Sequence, residues 1–284
     1  MRWQLKNYLK AFATLLPTKK NLKPHFDDVQ AHYDLSDDFF RLFLDPSQMY
    51  SCAYFERDDM TLEEAQIAKI DLSLGKLGLQ PGMTLLDIGC GWGTTLMRAV
   101  EKYDVNVVGL TLSRNQKAHV QKRFDESSSP RSKKVLLQGW EQFDEPVDRI
   151  VSIEMIEAVG ERYWPVYFAT LKERLAEGGR AMVQAITVPD AEFSLYRQRT
   201  DFIRHYTFPG GMLPCDAMIA REASKAGLVV RENFAFGQHY ARPCRIWAEA
   251  LQAQRARIRK LGYGEPFLRS WQFYVESCAA TFAT

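Results

Sequence analysis

Three features of the 284-residue sequence predict a doubly wound α/β fold, Rossmann-like, with a parallel sheet between helices. The first is Met83-Thr84-Leu85-Leu86-Asp87-Ile88-Gly89-Cys90-Gly91-Trp92-Gly93, an apolar run that meets glycines at alternate positions and then a helix-like segment, Thr94 to Tyr103. That is strand, tight turn and helix, with glycine where a ligand must approach the backbone or φ must be positive. The second is an alternation of short apolar runs with helical patterns from Gly82 to Thr187. The third is polar or aromatic residues at the carboxyl ends of those runs, where open α/β sheets bind ligands: Asp87, Thr111, Trp140 and Glu157.

The elements follow in order. Residues 1–24 carry Arg2, Lys6, Lys10, Lys19, Lys20 and Lys23 without an acid, and Leu5, Leu9, Phe12 and Leu16 recur at helical spacing. Such a basic amphipathic segment suits an anionic membrane surface or the surface of the domain itself. Asp27 to Phe55 is dense in aromatics, with a helix expected over Leu35 to Leu44 behind Ser36 as cap. Thr61 and Glu64 form a capping box for a helix ending near Gly75 or Leu77.

After the glycine turn come a strand at Val105 to Leu110, Ser113 as cap of the helix carrying Gln116, and a strand at Lys134 to Gln138 before Gly139-Trp140. A strand at Asp148 to Ile153 delivers Glu154, Met155, Ile156 and Glu157; a helix at Tyr163 to Leu175 and a strand at Arg180 to Thr187 complete the alternation. Residues 189–214 interrupt it with an aromatic-rich insertion beside the ligand edge, which reads as a substrate cover. A helix at Cys215 to Ala226 and C-terminal helices containing Trp247 and Trp271 close the domain.

With 46% hydrophobic and 25% charged residues and a formal net charge of +2, nothing global argues for nucleic acid. Five cysteines without paired spacing suggest free thiols, and the five histidines form no ligand pair, so no metal is expected. No run approaches the length of a membrane span and no secretory h-region is visible, so a cytoplasmic protein, peripheral at most to the inner membrane face, is expected.

The dinucleotide fingerprint is incomplete: Thr94 stands where its third glycine belongs, and no acid follows Val107-Val108-Gly109-Leu110-Thr111. Asp87 with alternate glycines resembles instead the first motif of S-adenosylmethionine-dependent methyltransferases. His32-Tyr33-Asp34-Leu35-Ser36, Tyr50-Ser51-Cys52-Ala53-Tyr54-Phe55-Glu56, the glycine turn, Phe208-Pro209-Gly210-Gly211 and His239-Tyr240-Ala241-Arg242 together resemble the cyclopropane fatty acid and mycolic acid synthase family from Asp28 onward.

That resemblance implies a class I methyltransferase domain over residues 25–284, with cap elements 25–75 and 189–214. Its reaction would be methyl transfer to a cis double bond of a lipid acyl chain, with proton loss to close a cyclopropane. The implied cofactor residues are Tyr33, Tyr50, Ser51, Asp87, Gly89, Gly91, Gly93, Thr111, Leu112, Gln116, Gly139, Trp140 and Ile153. It implies a bicarbonate ion as general base, held through Cys52, Glu157, Ile186 and Tyr240, with Glu157 orienting the anion and Tyr240 donating to it. Cys278 matches a cysteine regarded in the family as an active-site residue, although no histidine partner is near it in sequence.

Two departures bear on deprotonation. Gln184 stands where family members place a bicarbonate-binding histidine, and Ala158 where many have another histidine. Residues up to Ile153 resemble the mycolate-modifying branch, and those from Glu154 to Cys278 the branch acting on phospholipid acyl chains. The substrate is therefore open between a phospholipid and a carrier-bound chain, with an acidic acyl carrier protein or an anionic membrane as partner. A methyl- or methylene-branched product, a small amine acceptor and a silent binder are the competing outcomes.

Overall fold

The computed structural model describes residues 35–283. Tyr33, the segment 1–24 and the start of the first cap element lie outside the described residues. Five strands, β1 (Thr84–Ile88), β2 (Asn106–Thr111), β3 (Lys133–Leu137), β4 (Val147–Ile153) and β5 (Leu175–Gln184), form one sheet in the order β3-β2-β1-β4-β5. Every pairing is parallel, with Leu85 opposite Val107 and Arg149, and Ile88 opposite Leu110 and Ser152. The strand order reverses between β1 and β4, which opens a crevice at their carboxyl ends.

Alternate strand residues feed opposite faces of the sheet. Leu86, Ile88, Val108, Leu110 and Ile150 join a cluster with Trp164, Tyr167 and Phe168 of the helix Trp164–Arg174 and Met218 of the helix Asp216–Lys225. Leu85, Val107 and Val151 join Ile70 and Leu74 of the helix Leu62–Gly75 and Leu96 and Val100 of the helix Thr94–Tyr103. Both faces are covered, and the predicted doubly wound fold is the one observed.

A third cluster lies outside the sheet. Phe39, Phe40 and Phe43 pack with Trp247 of the helix Ala241–Ala253 and Trp271 of the helix Glu265–Phe282. Trp271 sits 4.9 Å from Phe39 and 5.7 Å from Phe43, ring to ring. The N-terminal aromatic segment is therefore a layer of a cap completed by the C-terminal helices.

Local signals explain most boundaries. Thr61 and Glu64 make the expected capping box, and Ser36 caps Asp37–Phe40. That first helix is shorter than the expected Leu35 to Leu44 span, because the chain turns at Arg41 towards Pro46. β5 ends at Gln184 and not at Thr187, since the backbone bends away to bring the Ile186 amide onto Glu157. The insertion forms a helix, Asp190–Gln198, and a wide helical turn, Ile203–Thr207. Phe208 and Phe202 contact Tyr274 and Phe273 of the last helix at 5.9 and 4.8 Å.

Candidate active site

A cleft opens at the carboxyl edge of the sheet, lined along β1 and β2 by Asp87, Gly89, Gly91, Thr111, Leu112 and Gln116. Gly139, Trp140 and Ile153 form the far wall, and Tyr50 and Ser51 cross the mouth. Gly91 has φ +52°, and nothing lies within 4 Å of where a Cβ would stand, so the turn leaves a cradle that a side chain would fill. Gly93 faces the other way: at φ +83° it caps the next helix, and a Cβ there would meet Val120 at 2.9 Å. The absence of a side chain at Gly93 thus answers to packing against Val120.

Short-range bonds shape the rest of this wall. The Thr111 hydroxyl donates to Gln116 Oε1 at 2.7 Å, and Ser113 Oγ accepts from the Gln116 amide as the expected cap. Trp92 of the glycine turn lines the cleft as well, and so do Thr95, Gln138, Met155 and Val159, unforeseen from the motif alone.

Behind Ser51 stands a residue that the sequence reading missed. Lys69, fully buried, donates to Ser51 Oγ at 2.6 Å. The signal was there: Lys69 shares a helical face with Ala65, Gln66, Ile70 and Ser73, all buried. Burial pulls its ammonium down to about 8, against the favourable pull of Glu154, Asp45 and Asp87. Desolvation likewise pushes Asp87 up to about 7, with Lys69 opposing.

The second half of the site is built around Glu154. Its Oε1 accepts from the Cys52 amide at 2.7 Å and from Gln184 Nε2 at 2.9 Å; its Oε2 accepts from the Tyr240 hydroxyl at 2.6 Å. Glu154 lines the cofactor cleft, while Cys52 and Tyr240 belong to the aromatic cap cluster. The carboxylate thus stands where the two compartments meet.

Its backbone is unusual as well. Glu154 has φ +49°, a left-handed conformation that costs a non-glycine residue about 1 kcal/mol or more. The signal in the sequence was an acid at the strand end, in a turn whose glycine arrives only at Gly160.

Cys52 and Tyr240 were expected to hold a bicarbonate ion, with Gln184 in the place of the family's histidine, and the donors of all three are taken up by a carboxylate of the chain itself. The Ile186 amide donates at 2.5 Å to Glu157, not to an external anion. These residues as arranged do not fit a bicarbonate ion. Glu157, expected to orient that anion, does not line the cleft; its own carbonyl accepts from the Met212 amide of the insertion at 2.8 Å. Of the two acids, Glu154 is the one that lines the cleft.

The two carboxyls titrate differently. Burial and then the neighbouring Glu154 push Glu157 up to about 8, with the Ile186 amide as its donor. Burial also raises Glu154, but Tyr240, Cys52, Gln184 and Lys69 all oppose the rise. When the pair carries one charge, Glu154, with three donors against one for Glu157, holds it.

Cys278 sits elsewhere. It is half-buried on the last helix within the cap cluster, against the thiol of Cys244, and does not line the cleft. All five cysteines are free thiols, and Cys52 enters the site through its amide; burial, then Glu154, raises its thiol pKa. Among the described residues, no cluster of His, Cys, Asp or Glu is arranged to hold a metal ion, and no helix is long and apolar enough to cross a membrane.

Comparison with known proteins shows the family and the fold. Residues 20–284 match the family model of mycolic acid cyclopropane synthetase. The chain is 53% identical over 271 residues to cyclopropane mycolic acid synthase MmaA2 of Mycobacterium tuberculosis, covering 92% of this chain and 94% of that protein. To cyclopropane mycolic acid synthase 1 of the same organism it is 54% identical over 270 residues, with the same coverage. The MmaA2 structure superimposes with TM-score 0.86 at 51% identity, covering 91% of this chain and 94% of that one. The structure of mycolic acid cyclopropane synthase CmaA1 complexed with SAH and CTAB gives 0.85 at 52% identity, with the same coverage.

Proposed function

The chain belongs to the mycolic acid cyclopropane synthetase family, and from that premise we propose which of its residues carry the family's reaction. It is an S-adenosylmethionine-dependent methyltransferase that forms cyclopropane rings on lipid acyl chains. The observation that carries the residue assignment is the junction of a glycine-cradled cleft with an aromatic cap at Tyr50, Cys52, Glu154 and Tyr240.

The cofactor residues assigned on this reading are Tyr50, Ser51, Asp87, Gly89, Gly91, Thr111, Leu112, Gln116, Gly139, Trp140 and Ile153. The open space at Gly91 and the buried acid at Asp87 fit a ligand with an amino-acid end and a nucleoside end. When bound, S-adenosylmethionine supplies an electrophilic methyl on a sulfonium. A solved relative was crystallised with SAH, the demethylated cofactor, and with CTAB, an ammonium detergent with a long alkyl chain. A cleft that passes from polar backbone into aromatic rings suits that pair of ligands.

The residues match the demands of the chemistry. An alkene is a weak nucleophile, so holding it in line with the methyl lowers the barrier by roughly 7–11 kcal/mol in favourable cases. A cation develops on the chain, and water must be kept from it. Phe40, Phe43, Tyr50, Trp247 and Trp271 exclude water, and their ring faces attract positive charge. The insertion 189–214, seated on Glu157 and the last helix, serves as cover.

The acyl chain is offered by a phospholipid surface or an acidic carrier protein, through the basic segment 1–24. Removing that segment should weaken binding to anionic vesicles; unchanged, salt-sensitive binding would assign the contact to another surface. The reaction itself is tested by expressing the chain in a host fed methyl-labelled methionine and analysing its lipids by mass spectrometry and NMR. Label in a cyclopropane methylene is expected. Label only in methyl branches, or in no lipid, would overturn the reading.

A further inference from the structure

We propose that the Glu154 carboxylate is the general base of this enzyme, built into the chain in place of a bound bicarbonate ion. The inference rests on the cyclopropanation reading above and deepens it. Three donors converge on Glu154, from three separate segments: the Cys52 amide before the first long helix, Gln184 at the end of β5 and Tyr240 from the C-terminal part of the cap. Such a set fixes an anion in one orientation. Here the anion is covalently attached, at a position that also borders the cofactor cleft.

Three further observations point the same way. Glu154 adopts φ +49°, a backbone state suited to glycine, and the structure retains an acid there. Gln184 is neutral, so with a negative carboxylate in place no second titrating group is needed opposite it; its amide donates while its Oε1 stays without a partner. Glu157, whose Oε2 is buried without a partner, has a pKa raised to about 8 by burial and by Glu154. It therefore stays protonated near neutrality and leaves the single negative charge on Glu154.

The step balances within the reaction already assigned. The alkene π pair forms a bond to the methyl carbon as the sulfur–carbon bond breaks, leaving SAH and a cation on the neighbouring chain carbon. Glu154 accepts one proton from the added methyl, and the released C–H pair closes the third bond of the ring. Glu154 ends as a carboxylic acid and returns its proton to solvent once products leave. No oxidant, reductant or external anion enters.

The test compares wild type, Glu154→Gln and Glu154→Gly in buffer stripped of carbon dioxide and in the same buffer with added bicarbonate, with calorimetric titration of bicarbonate into each SAH-bound protein. Glycine relaxes the left-handed backbone, so that variant is expected to fold, and SAH binding reports the integrity of both. Wild-type turnover is expected to ignore bicarbonate and the wild-type titration to give no binding heat. Glu154→Gln should lose about 100-fold or more in product formation while binding SAH within about threefold of wild type. Glu154→Gly, with its donors freed, should bind bicarbonate.

Bicarbonate binding to wild type together with stimulation of its turnover would overturn the proposal. So would a Glu154→Gln variant within about threefold of wild-type turnover. A wild type that transfers no methyl to an unsaturated lipid would remove the reading on which the proposal rests, and it is recognised separately by the lack of SAH release.

Discussion

Along one wall of the cleft, Asp87, Gly89 and Gly91 come from a single strand-turn-helix unit, and Thr111 to Gln116 from the next. Along the other, the group that matters is assembled from residues far apart: Cys52 meets Glu154 across 102 positions of sequence, and Tyr240 meets it across 86. The cofactor wall is local geometry, fixed by where β1 ends and where a Cβ is absent. The base wall is tertiary geometry, fixed only when the aromatic cap docks onto the sheet. The first can be written into a short motif, whereas the second depends on the packing of the whole cap.

The comparison can be broken most severely through the cap. Trp271 touches Phe39, Phe40, Phe43, Tyr50 and Tyr274, so Trp271→Ala should cost about 3–5 kcal/mol in a denaturant titration. A loss below about 1 kcal/mol would mean that the cap is not part of the cooperative core.

The buried acids allow a second test. Asp87 and Glu157 have folded pKa values raised to about 7 and about 8, above their unfolded values, so the folded state binds more protons between those limits. Their contribution to stability is complete below about pH 4 and is lost as pH rises through 7 and 8. Ligand-free protein should lose on the order of 6 kcal/mol between pH 5 and pH 8 by denaturant titration, and rising stability over that window would contradict the assigned burial.

The cofactor wall is probed at Gly91. Gly91→Ala puts a methyl group into the open cradle and should weaken SAH binding about tenfold, or about 1.4 kcal/mol, by calorimetry. Unchanged affinity would place the cofactor away from this turn.

The smallest effect distinguishes the two acids. Glu157→Gln retains an acceptor for the Ile186 amide and replaces a group already protonated, so turnover should stay within about threefold. A collapse comparable to that expected for Glu154→Gln would return the base-positioning role to Glu157.

Legibility in the sequence follows the same division. The strands of the parallel sheet and the caps at Ser36, Thr61 and Ser113 could be read because each depends on residues within a few positions of one another. Asp87, Thr111 and Trp140 could be placed on the ligand edge once the strands alternated with helices. Glu154 and Glu157 are three residues apart on one turn, and the sequence does not tell which faces the cleft; the backbone at φ +49° decides it. Lys69 was hidden because a lysine on a helix is ordinarily solvated, and only its buried neighbours reveal otherwise. Gly93 shows a limit of the motif, since a glycine that avoids Val120 and a glycine that admits a ligand look alike in sequence.

In the reaction assigned to this site, a methyl group from S-adenosylmethionine is added to an acyl double bond and then loses a proton. That reaction is tested most directly by supplying the purified enzyme with cofactor bearing a trideuterated methyl group and a cis-unsaturated lipid, then examining the product by mass spectrometry and NMR. The account predicts a cyclopropane whose methylene keeps two of the three deuterons, the third having left as the proton taken by the base. A product that keeps all three deuterons on a methyl branch, or an unlabelled lipid, would contradict it.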